Sequence, residues 1–184
     1  MIRTPPIAEH IIAAPTGPLI VPATGAGTAQ TILSLVVPTL NESENITDFL
    51  AAVRHTLDRA LPGRYEVIVV DDDSADRTWE IAARLREGFR ELRVVRRQNE
   101  RGLAVAVIRG WQVARGQILG TINADFQHPP DVLGRLLERQ AGADLVVATR
   151  HGDGGGLGDW GLARRISSWG AASRMTSNLP PDIR

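Results

Sequence analysis

The 184-residue chain contains no cysteine and no lysine. Without thiols it can build neither a disulfide framework nor a thiolate metal site, which fits a reducing compartment. All 21 basic residues are arginine, whose planar fork suits phosphate better than a point charge does. An excess of either charge is missing too: 21 acidic residues balance the 21 basic ones, so no global field argues for nucleic acid. No apolar run reaches the length of a membrane-spanning helix. The N-terminus carries Ile7, Ile11 and Ile12, but Pro5, Pro6, Pro15, Pro18 and Pro22 interrupt it. It lacks the charged start and unbroken apolar core of a signal peptide. Residues 1–30, rich in Pro, Ala, Gly and Thr, are expected to be a flexible tail. Three familiar chemistries lose their support as well. No GxGxxG follows the first strand, no GxxxxGK[ST] phosphate loop occurs, and there is no GxSxG nucleophile elbow.

From Thr31 onward strands and helices alternate. Ile32 to Val37 reads as a buried strand ending at Pro38, and Ile46, Phe49, Leu50, Val53 and Leu57 follow at helical spacing. Tyr65 to Val70 is a second strand, closed by Asp71, Asp72 and Asp73. Ser74 is placed to cap a helix burying Thr78, Ile81, Ala82 and Leu85. A short strand from Leu92 to Val95 leads to a helix through Leu103, Ala106, Val107, Gly110 and Ala114, whose small residues predict close packing. A strand over 117–122 precedes a helix opened by Pro129, Pro130 and Asp131. Asp144 to Thr149 is expected to be a further strand, ending at Arg150. Continuous apolar strands between helices predict a mostly parallel sheet covered on both faces, an α/β fold of Rossmann-like type. Past a Gly-rich loop (151–161), an amphipathic helix is expected over 162–175. The stop at Arg184 is abrupt for such a domain, and more chain is expected to belong to it.

Polar clusters sit where these strands end: Pro38-Thr39-Leu40-Asn41-Glu42, Asp71-Asp72-Asp73-Ser74 and Asn123-Ala124-Asp125-Phe126-Gln127. Singly, each is ordinary turn and capping chemistry. In a parallel sheet all three converge on one rim, where ligands bind. Carboxylates there can accept from base N–H groups or ribose hydroxyls. Oxygen ligands can also hold a hard cation that keeps positions open for phosphate.

The series Val36 to Glu42, Val69 to Thr78, Arg101-Gly102-Leu103, Asn123 to Pro129, Ala148 to His151 and Trp160 to Ser168 resembles the GT-A glycosyltransferases of the dolichol-phosphate (polyprenol-phosphate) mannose synthase type. The likeness covers residues 31 to about 175. It implies a GT-A nucleotide-diphospho-sugar transferase fold with a catalytic domain over 31–160, and an acceptor- or membrane-side helix over 161–184. It further implies that Pro38, Leu40, Glu42, Val70 and Asp72 hold the guanosine part of GDP-mannose. Asn123, Ala124 and Asp125 would line the diphosphate, with Asn123, Asp125 and Gln127 on Mg²⁺ or Mn²⁺. Arg150 and Arg164 would grip donor and acceptor phosphates. Two residues depart from the pattern: Asn123 stands where Asp is usual, and Leu40 where an aromatic is common.

No His–Asp or Glu pair stands out as a general base, yet a lipid phosphate acceptor needs none. The second pKa of a phosphate monoester is about 6, so the nucleophile arrives ionised at pH 7. The implied activity is inverting mannosyl transfer from GDP-mannose to a polyprenyl phosphate, on the cytoplasmic face of a membrane surface. UDP-glucose or another nucleotide sugar is the alternative donor. A non-catalytic nucleotide-sugar-binding protein is the alternative from another class.

Overall fold

The computed structural model describes residues 7–21 and 31–148. Arg150, Arg164, the expected 162–175 helix and the expected boundary at residue 160 lie outside the described residues. A short 3-10 turn (Ile7–His10) leads into β1 (Ile11–Ala13). Then follow β2 (Leu33–Thr39), α1 (Ile46–Ala60), β3 (Tyr65–Asp71), α2 (Thr78–Leu85), β4 (Leu92–Arg96), α3 (Leu103–Gln112), β5 (Ile118–Thr121) and α4 (Val132–Gln140). The strands form one five-stranded sheet in the order β1-β4-β3-β2-β5, and every pair is parallel. One compact unit ends at Val146, and Val147 begins a second. No helix among the described residues is long and apolar enough to cross a membrane.

The period-two geometry of the strands sorts their side chains into two cores. Leu33, Leu35, Val37, Val67, Val69 and Val94 pack with Ile46, Phe49, Leu50, Val53 and Leu57 of α1, Ala82 and Ala83 of α2, and Leu133 of α4. On the other face Val36, Ile68, Val70 and Val95 meet Ala106 and Trp111 of α3. The chain winds β2 to β3 to β4 with α1 and α2 on one face, then returns through α3 on the opposite face to place β5 beyond β2. Right-handed crossovers require that change of face when the direction reverses. The reversal leaves a switch point between β2 and β5.

Close packing of α3 rests on Gly110, where an added Cβ would lie 2.6 Å from Val36 Cγ2 and 2.7 Å from its Cγ1. Gly116 is tighter in kind, because its Cβ would meet main chain, 2.6 Å from Ser34 N and 2.7 Å from Leu33 C. Gly110→Ala is expected to cost about 1–3 kcal/mol through overpacking. Gly116→Ala should cost more, because backbone cannot rotate away. Urea midpoints of the two variants against the parent check both.

Three expectations need correction. Residues 1–30 are not uniformly a tail: β1 pairs with β4 in the register Ile11↔Val94, Ile12↔Val95, Ala13↔Arg96. Ile11 packs on one core and Ile12 on the other, so a three-residue strand gains burial on both faces despite the prolines around it. The expected strand over 144–149 pairs with no strand among the described residues, and Leu145 and Val147 are 80% and 69% exposed. Apolar sequence alone makes no strand unless a neighbour takes its N–H and C=O groups. Finally, Ser74 does not cap α2; the N-cap is Arg77, with φ 62°. Its role is taken by Asp76, whose Oδ1 accepts the Thr78 N–H at 3.0 Å.

Candidate functional site

The strand ends after β2, β3 and β5 share one rim, since Thr39 aligns with Asp71 and Val36 with Thr121. In open parallel sheets the crevice at the switch point takes the ligand. Here the loops 40–45 and 122–131 flank it. The backbone leaves ordinary regions after each strand, with Asn41, Asp73 and Phe126 at φ 55°, 56° and 54°. Asn and Asp tolerate the left-handed region, whereas a bulky residue there costs about 1–2 kcal/mol. An edge-to-face contact with Phe49, 5.3 Å between centroids at 79°, holds Phe126 in place.

The first two loops are laced together. Asp71 is fully buried, and its Oδ2 accepts from the Thr39 and Ser74 hydroxyls at 2.8 and 2.7 Å while Oδ1 accepts the Ser74 N–H at 2.8 Å. Ser74 Oγ in turn accepts the Asn41 N–H at 2.9 Å, Thr78 Oγ1 the Glu42 N–H at 2.9 Å, and Asp76 Oδ2 the Ser43 N–H at 2.9 Å. Asn41 Oδ1 closes the lace by accepting the Ala75 N–H at 3.1 Å. These amides are therefore already committed, and the first loop is no backbone phosphate cradle. The lack of a glycine-rich motif after the first strand accords with that commitment.

Burial raises the Asp71 carboxyl above its ordinary value, against the hydrogen bonds from Ser74 and Thr39 that lower it. Asp76 moves the other way: partial burial alone would raise it, but hydrogen bonds from Thr78 and Ser43 bring it below the usual 3.8. A carboxyl lowered by folding contributes stability above its unfolded pKa and loses it as pH falls through the folded one. Asp76 should therefore support the lace fully above about pH 5 and cease to do so in acid, with a contribution under about 1 kcal/mol because it is exposed. Urea melts of the parent and Asp76→Asn from pH 3 to 7 should converge at the acid end and separate near neutrality.

Asp72, expected to meet a nucleotide, is buried in a cluster the sequence reading did not identify. Its Oδ1 accepts Arg97 Nε at 2.6 Å and its Oδ2 accepts the Gly102 N–H at 2.8 Å. Arg97 is 1% exposed, and its Nη1, 3.8 Å from Glu100, has no hydrogen-bond partner. Glu100 is gripped by Arg109 through Nε at 2.8 Å and Nη2 at 2.5 Å. That pairing holds the Glu100 carboxyl below its ordinary value and Arg109 above its own. A single cation on the otherwise apolar stretch Leu103–Gly110 was the available signal, because a buried charge must be paired.

Other residues fall into place unevenly. Leu40 is 48% exposed at the rim, and Glu42 is half-buried with Asn45 Nδ2 donating to its Oε2 at 3.1 Å. Pro38 and Val70 are buried partners in the sheet, and Ala124 belongs to the main core. The side chains of Val70 and Ala124 are thus walled in, and any contact they make with a ligand comes through main chain. Asn123 and Asp125 are half-buried and Gln127 is exposed. Asp125 Oδ1 accepts the Gln127 N–H at 3.0 Å, an Asx turn that fixes the carboxylate. No group of three or more His, Cys, Asp or Glu side chains able to hold a metal occurs among the described residues. One carboxylate with carbonyl oxygens beside it still fits Mg²⁺ or Mn²⁺, which complete their shells with water and ligand phosphates.

The all-parallel five-stranded sheet with helices on both faces is consistent with an α/β fold of the GT-A, Rossmann-like class. The model for glycosyl transferase family 2 matches residues 34–183, and the chain belongs to that family. Among its relatives, a dolichol-phosphate mannosyltransferase of Pyrococcus furiosus is 41% identical over 141 residues, 76% of this chain and 39% of that protein. Another of that name, from Mycosarcoma maydis, is 36% identical over 80% of this chain and 53% of its own length. A polyprenol monophosphomannose synthase of Mycolicibacterium smegmatis is 35% identical over 80% of this chain and 55% of its own. The chain thus spans about half the length of these relatives, or less.

Proposed function

We propose that this chain carries the donor side of an inverting transferase that moves mannose from GDP-mannose to a polyprenyl phosphate at the cytoplasmic face of a membrane. What carries the reading is the rim itself. The amides of the first loop are spent on holding the second, so donor phosphates are left to the Asn123–Gln127 loop, beside the β2/β5 switch point. The names of the relatives supply the sugar and the lipid. Leu40 and Glu42 border the space for the nucleoside, while Asp72 acts from behind as the buried anchor of the β4–α3 connection. Asn123, Asp125 and Gln127 would hold Mg²⁺ or Mn²⁺, which when bound neutralises charge on the departing diphosphate. Arg150 and Arg164 are assigned to the phosphates of donor and acceptor.

In the reaction a phosphate oxygen of the acceptor attacks the anomeric carbon from the face opposite GDP. The bond from that carbon to the diphosphate oxygen breaks, and its electron pair leaves with GDP. No proton is removed from the nucleophile, so no general base is required. The protein's part is alignment and charge stabilisation. A panel of labelled GDP-mannose, UDP-glucose and other nucleotide sugars, offered with a short polyprenyl phosphate in vesicles, tests the proposal. Mannosyl lipid of inverted configuration is the expected product. Retained configuration contradicts the in-line step, and transfer from UDP-glucose alone replaces the donor.

A further inference from the structure

The segment from Ile11 to Ile20 lies before the residues matched by the family model, which begin at residue 34. It is nevertheless built into the domain at two levels. Its first part is β1, added to the free edge of β4. Its second part runs against α3, where three of its carbonyl oxygens are taken by two side chains. Arg109 Nη2 donates to Gly17 O at 3.0 Å, and Gln112 Nε2 donates to Pro18 O at 2.9 Å and Ile20 O at 3.0 Å. Gln112 Oε1 also accepts Arg109 Nη1 at 2.8 Å. Arg109 also grips Glu100 through Nε and Nη2. Glu100 belongs to the connection whose Gly102 N–H reaches Asp72 and whose start is Arg97. Polar contacts therefore run from the segment to Glu100, and two residues further along the main chain the Gly102 N–H reaches the carboxylate behind the proposed nucleoside pocket.

We propose that residues 11–20 form a strap that positions the β4–α3 connection, so that donor-nucleotide affinity depends on a segment outside the family-matched domain. This rests on the nucleotide reading above only for its ligand; the mechanical part does not. Arg109 is 2% exposed, and a buried guanidinium keeps one orientation only while its donors are satisfied. Five acceptors are arranged around it and Gln112: the Glu100 carboxylate, the Gln112 amide oxygen and three strap carbonyls. Releasing the strap removes three of them. Arg109 and Glu100 then gain freedom, and the Gly102 amide is no longer held on Asp72. Both Arg109 and Gln112 are positioning residues; neither touches the nucleotide.

Gln112→Glu is the discriminating variant. It keeps the oxygen that accepts from Arg109 but loses the N–H groups that hold Pro18 and Ile20, and its charge faces their carbonyls. Gln112→Ala loses both sets of contacts. Hydrogen–deuterium exchange of the ligand-free full chain should show faster exchange at the Gly102 amide and over residues 11–20 in both variants. Exchange in β2 and β3 should not change. Titration with GDP and Mn²⁺ should show affinity about 5- to 20-fold weaker in both, the range of an ordinary coupling. Gln112→Glu with parental Gly102 exchange overturns the strap, whatever the nucleotide does. Parental GDP affinity alongside faster Gly102 exchange removes its influence on the pocket. If the parent binds no GDP, the nucleotide reading fails, and the exchange result alone decides the strap.

Discussion

Replacing Arg97 with methionine is expected to remove about 3–5 kcal/mol of stability, the cost of leaving one member of a buried ion pair without the other. Arg97 and Asp72 are 1% and 5% exposed, and Arg97 donates to Asp72 through Nε at 2.6 Å. Without that partner the carboxylate keeps only the Gly102 N–H. A marginally stable domain would lose a large part of its total with this single change. The double variant Arg97→Met, Asp72→Leu should recover most of the loss, because apolar groups of similar volume often replace a buried pair at little cost. Urea unfolding of the parent, both single variants and the double closes a cycle. Additive effects would show that the pair is not coupled and that this side of the rim is held by packing alone.

Asp125→Ala should have the larger effect on function, lowering metal-dependent nucleotide binding and transfer by about 100-fold or more, since even an outer-shell partner of a metal is worth 10–100-fold. Its carboxylate is the only one in the Asn123–Gln127 loop, and it stands in a turn outside the lace that secures the other two loops. Its loss should leave stability nearly unchanged, which separates it from Arg97. The converse change, Asn123→Asp, adds a charge where the family pattern has one and should raise metal affinity about 10-fold, near the lower end of that range. Measuring Mn²⁺ dependence of GDP binding in both variants checks the pair. Equal binding by the parent and Asp125→Ala would remove the loop from the donor site.

The parallel sheet and its helices were legible because buried strands read as continuous apolar runs and α1 keeps a clean helical stripe. Ile46, Phe49, Leu50, Val53 and Leu57, taken from spacing alone, are all buried. The rim was legible because polar residues follow those runs directly. What was not legible depends on partners distant in sequence. Nothing local in Ile11–Ala13 says that β4 has a free edge, and nothing in Leu145–Ala148 says that this stretch pairs with no strand among the described residues. The partners of Arg97 and Arg109, Asp72 and Glu100, are brought to them only by the fold. The partners of the Asp72 carboxylate, Arg97 and the Gly102 N–H, are likewise 25 and 30 residues away in sequence.

Calorimetric titration with GDP, with UDP as control and with and without Mn²⁺, tests the central claim most directly. The account predicts binding that requires the cation and favours GDP over UDP, with the cation dependence lost in Asp125→Ala. Binding of neither nucleotide in the presence of Mn²⁺, or binding indifferent to the cation and to Asp125, would contradict it.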